Sequence, residues 1–175
     1  VESVGQSEWV EVTQPENASG NVAMLAHPND GSNIKENYDT LSPKLEYGAY
    51  FVKTGAHYLW LRGHAQGSSG NDSVHAGFNG VAQNSLKAIE FNSSSDWYWS
   101  GTTRAGSQAV FNVPTVGEHK INLWFREDGV IIDKIIITSD PDFIPTGYGP
   151  ASSPLLIDSG PSEPPQDSDG DGLGD

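Results

Sequence analysis

Apolar side chains recur at every second position over most of the chain up to residue 138, and turn residues interrupt this alternation at short intervals. A period of two is that of a β-strand with one buried face, and no segment keeps the period of a long helix. The pattern predicts strands at 57–64, 73–79, 86–91, 108–113, 119–126 and 130–138, with weaker ones at 9–13, 22–25 and 49–53. Short strands at this spacing predict an all-β fold, an antiparallel β-sandwich of the jelly-roll type.

The predicted strand order also indicates which loops lie together. In an antiparallel arrangement, alternate loops share one end of the sandwich. Counting along the strands brings together loops 65–72, 92–106 and 127–129, and places turns 80–84 and 113–119 at the opposite end. The first group is polar and includes aromatic residues, whereas a connection needed only for reversal stays short. We therefore expect ligand binding at the end formed by these three loops.

Three consecutive aromatic residues, Trp97, Tyr98 and Trp99, lie in the second of these loops among Ser, Asn, Asp and Gly. In one interpretation Trp97 and Trp99 turn inward to cap the core while Tyr98 faces water. In the other, the rings form a flat platform that stacks on the C–H face of a sugar, and neighbouring polar side chains bind its hydroxyl groups. The polar candidates are Asn71, Asp72, Arg126 and Asp128.

The strand at 57–64 directs Leu59 and Leu61 to the core and leaves Tyr58, Trp60, Arg62 and His64 on its other face. That second face is either another binding surface, which includes His64, or a structural surface on which an arginine stacks on a tryptophan of a neighbouring strand. The strand at 119–126 has the same parity, with Asn122, Trp124 and Arg126 opposite its apolar residues.

Composition narrows the class of partner. The chain has 23 acidic and 9 basic side chains and a formal net charge of -14. This field repels phosphate backbones and anionic lipids, so we expect no nucleic-acid or membrane partner. It is typical of a secreted, extracellular protein kept soluble, or of acids gathered around a metal. The absence of cysteine excludes a disulfide framework and a thiolate nucleophile.

Catalytic signatures are weak. His64 and His75 are candidate general bases, with Asp72 or Asp128 as partners. However, the sequence contains no G-x-S-x-G elbow, no zinc-binding H-E-x-x-H and no glycine-rich phosphate loop. The sequence therefore predicts a binding protein that is not itself an enzyme.

The C-terminal part changes in composition, because Pro, Ser, Gly and Asp dominate from residue 140 onward. We predict a domain at 1–149, a Pro/Ser-rich linker at 150–166 and a truncated calcium-binding repeat at 167–175. In that repeat, Asp167, Asp169 and Asp171 precede Gly172, as in the first half of a D-x-D-x-D-G calcium loop. The alternative is an acidic, solvated tail.

Five segments together resemble a known family: "ENASG" at 16–20, the segment 48–63, "GNDSVHAGFNG" at 70–80, "DWYW" at 96–99 and the segment 116–138. The chain from 1 to 149 resembles the β-sandwich carbohydrate-binding modules of families 6 and 35, within the galactose-binding-like jelly rolls. The tail is similar to the start of a bacterial thrombospondin type 3 repeat. The resemblance implies a non-catalytic module of a secreted multimodular enzyme that degrades polysaccharides, covalently linked to a glycoside hydrolase or polysaccharide lyase domain. Its partner would be a polysaccharide or oligosaccharide, and the acidity and the tail suggest a marine one.

The resemblance also implies site residues. It implies a sugar site in the end loops, with Trp97 and Trp99 at the aromatic position, Arg126 and Asp128 in the last loop, and Tyr38 as an opposing aromatic. It further implies a structural calcium ion between Glu2 and Asp133, although Val4 replaces the usual second acid near the first strand. Asp133 interrupts an apolar run, and a buried carboxylate must be either paired or bound to a metal. The rival interpretation of the whole chain is a calcium-stiffened adhesion or spacer module of a cell-surface protein, without sugar specificity.

Overall fold

The computed structural model describes residues 7–154, which fold mainly into β-strands. The strands are β1 (Glu8–Val12), β2 (Ala23–His27), β3 (Lys44–Phe51), β4 (Gly55–His64), β5 (Ser73–Phe78), β6 (Val81–Ala82), β7 (Ile89–Glu90), β8 (Tyr98–Ser100), β9 (Val110–Val113), β10 (Gly117–Phe125) and β11 (Ile131–Thr138). One short helix, α1 (Tyr38–Leu41), and two 3-10 turns, Ser19–Asn21 and Asn84–Leu86, complete the described elements. No helix in this part of the chain has the length and apolar character needed to cross a membrane.

The strands form two antiparallel sheets that face each other. The first sheet has the order β1-β2-β11-β4-β8, and β9 also pairs with β4. The second sheet has the order β3-β10-β5-β6, and β7 also pairs with β5. This architecture confirms the predicted all-β antiparallel sandwich.

The core lies between the sheets and follows the predicted alternation. Leu59 and Leu61 of β4 and Leu123 and Phe125 of β10 are buried in a single apolar cluster. Burial of apolar surface of this kind is the main contribution to the stability of such a domain. The intervening side chains of β4 point away from this core, toward the outer face of the first sheet.

The structure departs from the predicted strands in several places. β3 begins at Lys44 instead of residue 49, and β6 forms within the predicted turn 80–84. The predicted strand at 86–91 is replaced by the 3-10 turn and the two-residue β7, because Ala88 between them has a left-handed φ of 56°. Conversely, β8 forms within the segment predicted as a loop at 92–106, where Trp99 pairs with Arg62 of β4.

The segment after β11 packs against the outer face of the first sheet. Lys134 Nζ donates to the carbonyl oxygens of Tyr148 and Pro150, at 3.1 and 2.6 Å. Trp99 Nε1 donates to the carbonyl oxygen of Gly147 at 3.0 Å. These contacts extend the packed part of the domain as far as Pro150.

Candidate functional site

Loops that are distant in sequence meet at one end of the sandwich. Gln66 Nε2 donates to the carbonyl oxygen of Gly129 at 2.6 Å, and the Asp72 backbone N–H donates to Glu127 Oε2 at 3.0 Å. We call this region the loop end; it comprises loops 28–37, 65–72, 92–97 and 127–129. Three of these loops were expected to lie together from the strand count.

The fourth loop, 28–37, was missed in the sequence analysis. Its backbone N–H groups at Asp30 and Gly31 donate to the carboxylate of Asp128, with a distance of 3.1 Å from Gly31. Asp128 is fully buried, so its carboxylate orders this turn instead of facing solvent. The turn-rich run "NDGSN" at 29–33 was the available sequence signal.

Glu127 is the centre of a buried polar network at the loop end. Its carboxylate accepts hydrogen bonds from Ser73 Oγ at 2.7 Å, from the Asp72 backbone and from Arg126. Burial raises the pKa of Glu127, but the hydrogen bonds from Ser73 and Asp72 and the positive charge of Arg126 outweigh it, so that the pKa is lowered overall. Arg104 Nη1 approaches the same carboxylate at 3.4 Å. Arg126 therefore holds Glu127 in place and is itself buried.

Asp72 differs from its neighbours because one of its oxygens is unused. Its side chain accepts a hydrogen bond from Ser93 Oγ at 2.8 Å through Oδ2. Among residues 7–154, Asp72 Oδ1 is the one buried carboxylate oxygen that has no hydrogen-bond partner. Burial raises the pKa of Asp72, and the nearby Glu127 carboxylate adds to the increase. The loop end thus contains an acid with spare hydrogen-bonding capacity.

The polar side chains expected to bind sugar hydroxyls are less open than the sequence suggested. Asn71, Asp72, Arg126 and Asp128 are all buried. With its amide nitrogen placed toward acceptors, Asn71 donates to the carbonyl oxygens of Gly70 and Asp128, at 3.0 and 3.2 Å. The physical reason is that the loops pack on one another and need internal hydrogen bonds to replace lost water. Among these four residues, Asp72 has a side-chain oxygen, Oδ1, that is buried without a hydrogen-bond partner.

The three aromatic residues do not form a single platform, which corrects one of the two sequence interpretations. Alternation along β8 places Tyr98 opposite Gly63 and Trp99 opposite Arg62, so the two rings lie on different faces. Trp97 and Trp99 are half-buried on the outer face of the first sheet. Trp97 Nε1 donates to the carbonyl oxygen of Glu16 at 2.8 Å. Tyr98 is 45% exposed and is the aromatic residue of this group that is most open to solvent.

Tyr38 and His75 form a buried stack, so Tyr38 is not an exposed opposing aromatic. Their ring centroids are 3.7 Å apart and the rings are nearly parallel. The Ala88 backbone N–H donates to His75 Nδ1 at 3.1 Å, so Nε2 carries the proton that it shares with the Ile34 carbonyl oxygen. Burial lowers the pKa of His75 to about 4. Both ring nitrogens are therefore engaged, and His75 is held in its neutral form.

His64, the second candidate base, lies on the outer face of the first sheet beside the loop end. Its Nδ1 accepts a hydrogen bond from the Gln66 backbone N–H at 3.0 Å, and its ring meets the Trp97 ring edge-on at 5.4 Å. Farther along the same face, Trp60, Gln108 and Phe143 contribute to a cavity of about 400 Å³. This cavity is away from the loop end.

The residues expected to bind metal fall into two groups. Glu2, Asp167, Asp169 and Asp171 lie outside the described residues, so calcium binding by them stays a prediction. Asp133 is described, and its carboxylate is paired with Arg62 at 2.5 Å. Within residues 7–154, His, Asp and Glu side chains form no cluster of three or more that is suited to a metal ion.

A family model described as the glycosyl hydrolase family 115 C-terminal domain matches residues 2–152 of this chain. An uncharacterized protein of Formosa agariphila is 27% identical over 114 residues, which are 61% of this chain and 27% of that protein. The chain thus spans about a quarter of the length of this curated relative.

Solved structures share the fold. A family 35 carbohydrate binding module from Clostridium thermocellum superposes with a TM-score of 0.53 at 15% identity, covering 75% of this chain and 88% of that one. A family 35 module from an environmental isolate gives 0.50 at 15% identity, with 86% and 92% covered. A Podospora anserina β-(1,4)-mannanase that contains such a module gives 0.51 at 15% identity, with 92% of this chain and 29% of that chain covered.

Proposed function

Since this chain belongs to the family of glycosyl hydrolase family 115 C-terminal domains, we propose that it is a non-catalytic carbohydrate-binding domain. In the complete protein it would hold an attached glycoside hydrolase or polysaccharide lyase domain on its polysaccharide, outside the cell. The match to a glycosyl hydrolase family supports the link to a hydrolase, and the solved neighbours that are carbohydrate binding modules support the binding role. The small share of the curated relative that the chain covers agrees with a part of a larger protein.

The observation that carries the proposal is the convergence of four polar loops at one end of the sandwich, beside the exposed ring of Tyr98. An aromatic face stacks on the C–H face of a sugar, and polar groups around it bind the hydroxyls. Tyr98 supplies the exposed ring, and Asp72 Oδ1 supplies an acceptor that the protein does not use. In this proposal a small opening between loops 65–72 and 92–97 brings the hydroxyl to that acceptor.

Calcium binding by Asp167, Asp169 and Asp171 is part of the same proposal, and so is a marine origin of the polysaccharide. Both rest on the sequence alone, on the spacing of the carboxylates and on the net charge of -14. Isothermal titration of the tail peptide with calcium tests the first, and a panel that includes algal polysaccharides tests the second.

Affinity electrophoresis over a panel of plant and algal polysaccharides tests the proposed site, with two exposed tyrosines at opposite ends of the sandwich as a matched pair. Tyr98 directly follows loop 92–97 of the loop end. Tyr50 is 55% exposed and lies at the opposite end of the sandwich, where β3 pairs with the start of β10. We expect Tyr98→Ala to weaken binding about tenfold, since a stacked aromatic contributes on the order of 1 kcal/mol beyond its area. Tyr50→Ala should bind as the wild type does.

Two results would overturn the proposal. If the wild type migrates unchanged with every polysaccharide, the spacer-module interpretation replaces it. If the isolated chain releases reducing sugar or unsaturated products from any polysaccharide that it binds, the domain is itself catalytic.

A further inference from the structure

We propose that the guanidinium of Arg62 takes the place of a structural calcium ion in this domain, so that its stability does not depend on calcium. The resemblance to carbohydrate-binding modules implied a calcium ion that joins the N-terminal part of the chain to Asp133 on the last strand. The described residues around Asp133 do not fit such an ion.

The position suited to a cation is filled by a nitrogen atom. Arg62 Nη1 lies 2.5 Å from Asp133 Oδ2 and 3.1 Å from the carbonyl oxygen of Asn17. A carboxylate oxygen and a backbone carbonyl are typical ligands of calcium, at about 2.3 to 2.6 Å. An ion bound to both oxygens would need the space that Nη1 occupies, and it would be repelled by the guanidinium charge.

The other carboxylate oxygen of Asp133, Oδ1, is also occupied, because it accepts hydrogen bonds from the protein. Oδ1 accepts hydrogen bonds from the backbone N–H of Ser19 at 2.6 Å and from Ser19 Oγ at 2.8 Å. The Asp133 side chain has no exposed surface. A buried carboxylate needs a positive partner and filled lone pairs, and here the protein supplies both from its own side chains and backbone.

Two aromatic rings lie close to the guanidinium. Its carbon atom lies 4.9 Å from the ring centroid of Trp97 and 4.9 Å from that of Tyr148. A guanidinium close to aromatic rings gains cation–π attraction, and its planar, rigid group loses little freedom on being held there. Arg62 thus connects β4, β11, the loop before β2, the start of β8 and the C-terminal segment. A bound metal ion performs the same kind of cross-linking of distant segments.

Thermal unfolding of the full chain, followed by calorimetry and by near-ultraviolet circular dichroism, tests the proposal. We expect the wild type to unfold at the same Tm in excess EDTA and in millimolar calcium chloride. Arg62→Met should lower the Tm by about 10 °C, because it leaves the Asp133 carboxylate buried without a partner. Lys120→Met is the control; Lys120 is 61% exposed and pairs with Glu46 on the surface, so its loss should shift the Tm by far less.

The comparison of the wild-type Tm in EDTA and in calcium chloride is the decisive measurement. It needs no variant and therefore does not depend on whether Arg62→Met folds. A Tm of the wild type that falls in EDTA and returns with calcium overturns the proposal, as does an Arg62→Met protein as stable as the wild type. Calcium bound by the tail does not affect this outcome, since the unfolding of the domain is measured and not the uptake of the ion.

Discussion

Two buried aspartates, one in each functional region, illustrate opposite uses of a carboxylate. Asp133, on the last strand of the first sheet, pairs with Arg62 and accepts two further hydrogen bonds from Ser19. Asp72, at the loop end, accepts one hydrogen bond from Ser93 and leaves its other oxygen unpaired. Both side chains are removed from water, but only the carboxylate of Asp133 has protein partners for both of its oxygens.

This difference separates a residue that stabilises the fold from one that costs stability. A buried acid with filled lone pairs and an opposite charge is held firmly, whereas an acid with an unpaired oxygen beside Glu127 retains part of its desolvation penalty. Groups with perturbed pKa values and unused hydrogen-bonding capacity concentrate at functional sites. Asp72 is therefore the candidate for ligand binding, and Asp133 is the residue that stabilises the fold.

The strongest test of this comparison is Asp133→Asn. We expect a loss of about 3 kcal/mol in the free energy of unfolding, because the buried guanidinium of Arg62 loses its charge partner. Asp96→Asn, an exposed position at the loop end, is the control and should change stability by less than about 0.5 kcal/mol. Urea denaturation of the three proteins measures the difference, and equal midpoints for all three would contradict our assignment.

The next largest expected effect is the pH dependence of the free energy of unfolding, which His75 dominates between neutral and mildly acidic pH. Its pKa falls from 6.5 to about 4 in the folded state, so the unfolded state takes up a proton first. The associated stability is fully present above about pH 6.5 and is lost as the pH falls to about 4. We expect a decrease of roughly 2 to 3 kcal/mol over this range.

Unfolding free energies measured at several pH values, with NMR titration of the His75 ring, check this expectation. His75→Phe should remove the dependence although it also removes two hydrogen bonds, and His119→Gln serves as the control at the opposite end of the sandwich. A wild-type profile that stays flat across this pH range would be inconsistent with a neutral, buried His75.

A smaller effect, of opposite sign, is expected for Asp72→Asn. The substitution removes a charge that burial and the Glu127 carboxylate disfavour, so the free energy of unfolding at neutral pH should rise by up to about 1 kcal/mol. Because the folded-state pKa of Asp72 is raised, its penalty is greatest at neutral pH and is relieved as the pH falls through that raised pKa. The stability that Asp72→Asn gains over the wild type should therefore become smaller as the pH falls.

The same variant should bind polysaccharide more weakly if Asp72 Oδ1 accepts a sugar hydroxyl. Higher stability together with lower affinity would sharpen the contrast with Asp133, where the charge supports the fold. If Asp72→Asn is less stable than the wild type and binds polysaccharide equally well in affinity gels, Asp72 stabilises the fold as Asp133 does and takes no part in binding.

The smallest expected effect is that of Ser93→Ala. The Ser93 hydroxyl group lowers the pKa of Asp72, so its removal should raise that pKa further and cost roughly 0.5 to 1 kcal/mol of stability at neutral pH. NMR titration of the Asp72 carboxyl carbon measures the shift. An unchanged pKa would mean that the hydrogen bond from Ser93 to Asp72 does not form in solution.

Two of the long strands could be predicted almost to the residue. β4 and β11, predicted at 57–64 and 130–138, differ from the structure by only one or two residues at their first ends. In β4 the side chains alternate between an apolar core and a mixed outer face, so the period is clear. In β11 the pairing shifts register between Ile132 and Lys134, and the strand is indicated by its short apolar runs on either side of that point. β7 and β8 were misjudged, because a left-handed Ala88 and a short strand within a polar run leave little periodic signal.

The roles of individual polar residues were harder to predict. Sequence patterning correctly required a partner for Asp133, but nothing in the spacing between residues 62 and 133 identifies Arg62 as that partner. Likewise, Asp128 is buried where its carboxylate accepts hydrogen bonds from the backbone of loop 28–37, a contact between residues 97 positions apart. Such long-range pairings depend on the three-dimensional arrangement and leave no local pattern.

The C-terminal contacts described above determine where mechanical load enters the domain. Because Lys134 binds the carbonyl oxygens of Tyr148 and Pro150, tension from the following residues is delivered to the middle of the first sheet, next to Arg62.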